Sequence, residues 1–437
     1  MNGTIQKEIQ EKCVTPEEAV KLVKSGDVVY LGTTSSTANI LARALAGRAD
    51  ELENVTLTCG IGNVTAPEMQ ELDPRAFRIS TYFMGPWERK NRNRVPIDYT
   101  SVHLRQVEIW CRQTMPPDVA FLEVSLPDEN GYMSYGANGV SHHSYIKDAA
   151  KKVILQINRN APYLYGEQNL VHYTEADAIV EGHDEIATIP NLPIDDTLQT
   201  ISDFLLEQIP DGACLQLGIG GVANAVGYGL KKKNDLGSHT EMVTDSIIEL
   251  MNMGVINNKQ KNFFPGKTVA AFTYGSKEAY RFVDHNPDFY FMPFPVVNNP
   301  VNIAKNDNMI SINTALSIDL MGQVCSDNLG GLQYSATGGQ LDFVRGAQMS
   351  KGGKSFIAVT STVNSKRAGL QSRIVTHLPL GSAVTTPRSD VQYVVTEYGC
   401  VNLKPLTMKN RVRAMINLAH PDFRPQLTEE AKQAGLL

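Results

Sequence analysis

"GACLQLGIGGVANAVGYGL", residues 212–230, decides the fold. An apolar run ends at Leu217. Gly218, Gly220 and Gly221 follow, and a helical pattern of small residues begins near Val222. This order reads as strand, tight turn and helix. It occurs once before, in "GDVVYLGTTSSTANILARAL", residues 26–45. Gly26 matches Gly212, Leu31 matches Leu217 and Gly32 matches Gly218. After a one-residue gap, Ala38-Asn39 matches Ala223-Asn224 and Leu45 matches Leu230.

Later segments repeat in the same order. Residues 116–136 have a counterpart in 309–327, 151–160 in 354–363, and 176–182 in 391–399. Between the copies lies "IPNLPIDDT", 189–197, whose prolines and paired aspartates suit a linker. The expectation is two α/β domains, 1–190 and 191–437, with mainly parallel sheets flanked by helices. Ligands in such folds sit at the carboxyl ends of strands, and domain interfaces are favoured pockets.

Composition agrees with this and excludes several classes. A chain of 437 residues is too long for one ordinary core. With 42% hydrophobic and 20% charged residues it has a globular balance. The net charge of −6 argues against nucleic acid, whose phosphates need a basic face. No apolar run reaches a membrane span, and the N-terminus "MNGTIQKEIQEKCVTPEEAV" lacks the pattern of a signal peptide. Cys13, Cys59, Cys111, Cys214, Cys325 and Cys400 are scattered, with no C-x-x-C pair. A reduced, cytoplasmic protein is expected.

The 218–222 turn suits an anion. Glycines let the backbone approach a ligand, and free N–H groups and the dipole of the following helix favour negative charge. The same glycines would also serve a turn that binds nothing. A third reading is dinucleotide binding, because Gly218-x-Gly220-x-x-Ala223 fits that fingerprint and Glu241 lies near the distance of its acidic residue. Against this, Glu241 follows a polar run instead of closing an apolar strand, and the copy "LGTTSSTAN" lacks the fingerprint.

Glu241 lies in "GSHTEMVTDS", residues 237–246. Thr244 or Asp245 suits a helix N-cap and Gly254 a helix stop. Glu241 precedes the cap and has no place in that helix. His239 reads as a structural side chain shaping a loop, because the segment lacks H-E-x-x-H spacing for zinc. No G-x-S-x-G elbow supports a serine triad. A glutamate, ionised at neutral pH with a reference pKa of about 4.3, can attack an activated acyl group without a general base. The attack needs donors for the developing oxyanion. "GGLQYSATGGQLDFVRGA", 330–347, offers amides at Gly338 and Gly339, although a hairpin turn explains these glycines equally well. Asp342 and Arg345 read as an ion pair.

"LQLGIGGVANAV", "HTEMVTD", "MGQVCSD", "GGQLDFVRGA", "TTPRSDVQYVVTEYG" and "AHPDF" occur here in that order. Together they resemble the acetyl-CoA hydrolase/CoA-transferase family, closest to its 4-hydroxybutyrate and butyryl-CoA:acetate CoA-transferase branch. The resemblance covers essentially the whole chain. It implies two tandem CoA-transferase domains with the active site at the domain interface, and a catalytic carboxylate at Glu241. That carboxylate forms a mixed anhydride with an acyl-CoA and then a glutamyl–CoA thioester. It implies CoA contacts at Gly218, Ile219, Gly220, Gly221 and Val222, and also at Ser335, Gly339 and Lys366. An oxyanion and acyl site is implied at Ala336, Gly338 and Gly339. Coenzyme A would be substrate and covalent intermediate, with no metal and no redox cofactor. Small carboxylic acids such as acetate or succinate would be acceptors, and a homodimer or homotetramer is expected. Two departures touch the site: Ala223 stands where many relatives have proline, and Ala336 where they tend to have glycine.

The segment "FMGPWERKNRNRVPIDY", 83–99, does not match the branch. Its Arg89, Lys90, Arg92 and Arg94 read as a solvated loop or as cations selecting a dicarboxylate. The alternative activities are an acyl-CoA hydrolase, an NAD-dependent dehydrogenase using Gly218, Gly220 and Glu241, and a CoA sensor without catalysis.

Overall fold

The computed structural model describes residues 3–190, 193–218, 220–365 and 369–437. The chain forms two compact units. The first comprises 1–190 together with 242–245 and 269–297, and the second comprises 191–241, 246–268 and 298–437.

The main sheet of the first unit has seven strands: β1 (Val28–Tyr30), β2 (Val55–Cys59), β3 (Phe77–Thr81), β4 (Ile97–Tyr99), β5 (Val119–Val124), β6 (Lys152–Ile157) and β7 (Ala178–Glu181). They form one sheet in the order β7–β6–β5–β1–β2–β3–β4, with every neighbouring pair parallel. Every side chain of β5 is buried, as a sheet covered on both faces requires. Helix α1 (Asn39–Ala46) supplies Leu41, Ala42 and Leu45 to the core, where they join Val29, Leu31, Val55 and Leu57.

The second unit repeats the pattern. Helix α2 (Asp196–Gln208) leads into β8 (Cys214–Leu217), helix α3 (Gly221–Gly229) and β9 (Gly237–Val243). Helix α4 (Asp245–Asn252) follows. Then come β10 (Met309–Thr314), helix α5 (Gln340–Met349), β11 (Lys354–Ala358), β12 (Tyr393–Thr396) and β13 (Gly399–Asn402). The strand order runs β9–β8–β10–β11–β12–β13, parallel except for the final hairpin β12–β13. The repeat seen in the sequence is thus a repeat of topology. β1 and β8 take the same position, as do β5 and β10, β6 and β11, and β7 and β12.

In this order β9 and β10 lie on opposite sides of β8, so the chain reverses its direction of winding there. A crevice at the carboxyl ends of the strands follows from such a switch point.

One local expectation is corrected. The polar run before Glu241 is no loop: Ser238, His239 and Thr240 are fully buried on strand β9. Asp245 begins α4 and sends its carboxylate to Ser276, whose backbone N–H it accepts at 3.0 Å. Gly254, with φ +73°, does end the helix.

Candidate active site

Glu241 lies near the carboxyl end of β9, beside the switch point. Cys214 pairs with Gly237 and Leu215 with Ser238. Continuing that parallel register sets Gly218 level with Glu241. Gly218 directly follows β8 and donates its N–H to the Ile312 carbonyl of β10 at 3.3 Å. Gly220 follows with φ +105° and ψ −178°, a conformation essentially closed to residues with a Cβ. It caps α3, so the first amides of that helix face the same strand ends as Glu241. A Cβ on Gly221 would lie 2.6 Å from Leu198 Cδ1 of α2. Val222 is buried. Ile219 and Lys366 lie outside the described residues.

The second glycine segment reaches Glu241 itself. Gly339 is the N-cap of α5, and a Cβ there would collide with Glu241 Oε2 and Asn298 Nδ2. The carboxylate therefore lies against the amino end of α5, where the helix dipole favours an anion. Gly338 precedes it with φ +61°. Ser335 and Ala336 lead into this turn; Ser335 donates its N–H to the Asp327 carbonyl at 3.0 Å, and Ala336 is buried. The Ser335 carbonyl accepts from Gln333 Nε2 at 3.1 Å.

Three forces act on the Glu241 carboxyl. The side chain keeps some surface access, yet the protein surrounds it closely, and loss of solvent raises its pKa most. Asn298 Nδ2 donates to Oε2 at 2.6 Å and pulls the pKa down. The negative charge of Asp342, in the first turn of α5, pushes it up. The balance leaves the group near 7, raised from an ordinary 4.5. Such a carboxylate is poorly solvated and oriented by one donor, which suits a nucleophile.

Sequence reasoning missed Asn298. It belongs to "NNP", where Asn299 caps the next short helix and Pro300 opens it, so the segment reads as a helix start. The Asp342–Arg345 reading is also corrected: Arg345 makes its bidentate pair with Asp390, at 3.1 and 3.2 Å, and the charge of Asp342 acts on Arg345 and on Glu241 alike. In the segment 83–99, a helix forms over Pro86–Asn91. Arg94 pairs with Glu71 at 3.1 Å and Arg89 donates to the Met84 carbonyl at 2.7 Å. Among the described residues no group of three His, Cys, Asp or Glu side chains is placed to hold a metal ion, and no helix is long and apolar enough to cross a membrane.

The family description "Acetyl-CoA hydrolase/transferase N-terminal domain" matches residues 2–190, and "Acetyl-CoA hydrolase/transferase C-terminal domain" matches 275–431. The 4-hydroxybutyrate coenzyme A transferase of Clostridium kluyveri is 42% identical, over 97% of this chain and 98% of its own. The succinyl-CoA:cyclohexane-1-carboxylate CoA transferase of Geobacter metallireducens is 39% identical, over 98% and 97%. The crystal structure of RipA from Yersinia pestis superposes with a TM-score of 0.93 at 37% identity, covering both chains fully at 100%. An acetyl-CoA hydrolase of Candida albicans is more distant, at 25% identity over 71% of this chain. The chain belongs to the acetyl-CoA hydrolase/transferase family.

Proposed function

We propose that the protein is an acyl-CoA:carboxylate CoA-transferase with Glu241 as its nucleophile. The observation that carries this reading is the Glu241 carboxylate itself, desolvated, held by Asn298 and set against the amino end of α5 at Gly339. The donor is a short-chain acyl-CoA of the 4-hydroxybutyryl or butyryl type, and the acceptor is an acid such as acetate or succinate. The N-terminal domain spans 1–190, and the C-terminal domain, 191–437, carries the nucleophile. The enzyme works in the cytoplasm as a homodimer or homotetramer.

In this mechanism a Glu241 oxygen attacks the thioester carbonyl. The C–S bond breaks and a mixed anhydride forms as the CoA thiolate leaves. The thiolate then attacks the glutamyl carbon, expels the first acid and leaves a glutamyl–CoA thioester. The acceptor carboxylate attacks that thioester, and the released thiolate takes the new acyl group, restoring Glu241. CoA lies along the 218–222 turn, Ser335, Gly339 and Lys366, and amides around Ala336, Gly338 and Gly339 receive the oxyanion. Desolvation sharpens the nucleophile, and Asn298 keeps enough of it ionised to react.

Glu241 must be ionised to attack, so single-turnover adduct formation should rise with pH through about 7. Asp342→Asn removes a charge that raises the Glu241 pKa, so this rise should move to lower pH. Asn298→Ala removes the donor that lowers it, so the rise should move to higher pH. The rate at pH 7 should also fall about tenfold or more, the scale of a lost charged hydrogen bond. Identical pH profiles in all three proteins would exclude these roles.

The transfer reading is tested by initial rates with varied acyl-CoA and acetate. A ping-pong pattern and dependence on a second carboxylate are expected. CoA release as fast without an acceptor acid would favour the hydrolase reading instead.

A further inference from the structure

Lys261 is a buried lysine in the loop 254–267, only 5% exposed. Its Nζ donates to the Ser238 carbonyl at 2.8 Å and to the Lys267 carbonyl at 2.5 Å. Among the described residues it has no carboxylate partner. Enclosure by protein lowers its pKa to about 8, and the Cys214 thiol is the one titratable group acting on it. An ammonium buried without a counter-ion is costly, and an apolar side chain of similar length would fill the place at less cost. The two carbonyls it holds explain why the charge is there.

Ser238 is the second residue of β9, three before Glu241. Its backbone N–H donates to Asn258 Oδ1 at 2.9 Å, while its carbonyl accepts from Lys261. Both of its backbone groups thus take a side-chain partner, on a residue that the strand pairing sets beside Leu215 of β8. Asn258 Nδ2 also reaches Thr268 Oγ1 at 3.0 Å. Lys267 and Thr268 mark the start of the strand Thr268–Thr273, so Asn258 and Lys261 together tie the first residues of two strands. Gly237 makes room for this: a Cβ there would lie 2.5 Å from Lys261 Cγ. The same loop backs the strand again at His239, whose ring lies 5.8 Å from that of Phe263.

We propose that Lys261 is a positioning residue for Glu241, its ammonium fixing the height of β9 through the Ser238 carbonyl. This rests on the reading of Glu241 as nucleophile. A strand rises about 3.3 Å per residue, so the clamp lies roughly 10 Å from the nucleophile along a stiff path. A slip of β9 along its own axis carries Glu241 away from Asn298 and Gly339. Misplacement by about 1 Å is worth on the order of a hundredfold in rate.

Two variants test this. Lys261→Met keeps the stem and removes the ammonium, while Gly237→Ala leaves the lysine in place and pushes its stem aside. Each is incubated with acyl-CoA beside the unsubstituted protein. Glu241 that has taken up CoA is counted by borohydride reduction and peptide mass spectrometry, and kcat is expressed per labelled site. The expected result is a fall in kcat per site of about 10- to 100-fold with KM for acyl-CoA nearly unchanged, the mark of misplacement and not of lost binding. An unchanged kcat per site in a folded variant overturns the inference, because Lys261 would then serve stability alone. Should Lys261→Met not fold, Gly237→Ala decides by the same readout. If Glu241 in the unsubstituted protein takes no label, the nucleophile reading itself fails and takes this inference with it.

Discussion

Glu241→Ala should abolish CoA transfer, lowering kcat by about 10⁴-fold or more, the scale on which losing a covalent nucleophile acts. The fold should survive, because the substitution removes a partly accessible carboxylate from a strand whose other contacts are backbone pairing and buried neighbours. Removing a desolvated carboxylate also relieves its electrostatic strain against Asp342, so Tm should hold or rise. Glu241→Gln keeps the shape and hydrogen-bonding reach but cannot form an anhydride, and it should be equally inactive. Full activity in either variant would falsify the nucleophile assignment.

Gly339→Ala should be the second most damaging change. The added methyl would occupy the space of Glu241 Oε2 and Asn298 Nδ2, so both must move. The bond that orients the carboxylate, 2.6 Å long, cannot survive that displacement unchanged. Gly339 has φ −98°, which alanine adopts readily, so the backbone itself should accept the substitution. A loss of about a hundredfold in kcat is expected, with near-native circular dichroism and Tm. Gly220→Ala gives the contrasting case. Nothing lies within 4 Å of its added Cβ, but φ +105° strains any side chain. That variant should lose stability and the shape of the 218–222 turn together, by about 1–3 kcal/mol.

The duplicated fold was legible because it is written in local chemistry. Residues 26–45 and 212–230 each spell strand, small-residue turn and helix, and their strands take the same position in two sheets of like order. The β9 strand was harder. Ser238, His239 and Thr240 look like a solvated turn, yet all three are buried, with Ser238 held by Asn258 and Lys261. Those partners lie about twenty residues away, and no periodicity announces them. Glu241 stood out in the sequence because no helix or cap claimed it. Asn298 did not, because Asn299 and Pro300 beside it already explain the segment as a helix start. The hydrogen-bonded partner of Arg345 is hidden for a similar reason. Spacing offers Arg345, whereas the fold gives that arginine a bidentate bond to Asp390 and lets the Asp342 charge act on the nucleophile as well.

The most direct test of the central claim is to weigh the peptide that carries Glu241. The protein is incubated with acyl-CoA in the absence of any acceptor acid, quenched, digested and analysed by mass spectrometry, with a parallel sample reduced by borohydride. The account predicts a CoA adduct on the peptide containing Glu241, replaced after borohydride by reduction of that carboxyl to an alcohol. An unmodified Glu241 in a preparation that transfers CoA once acceptor acid is supplied, or a label on any other residue, would contradict it.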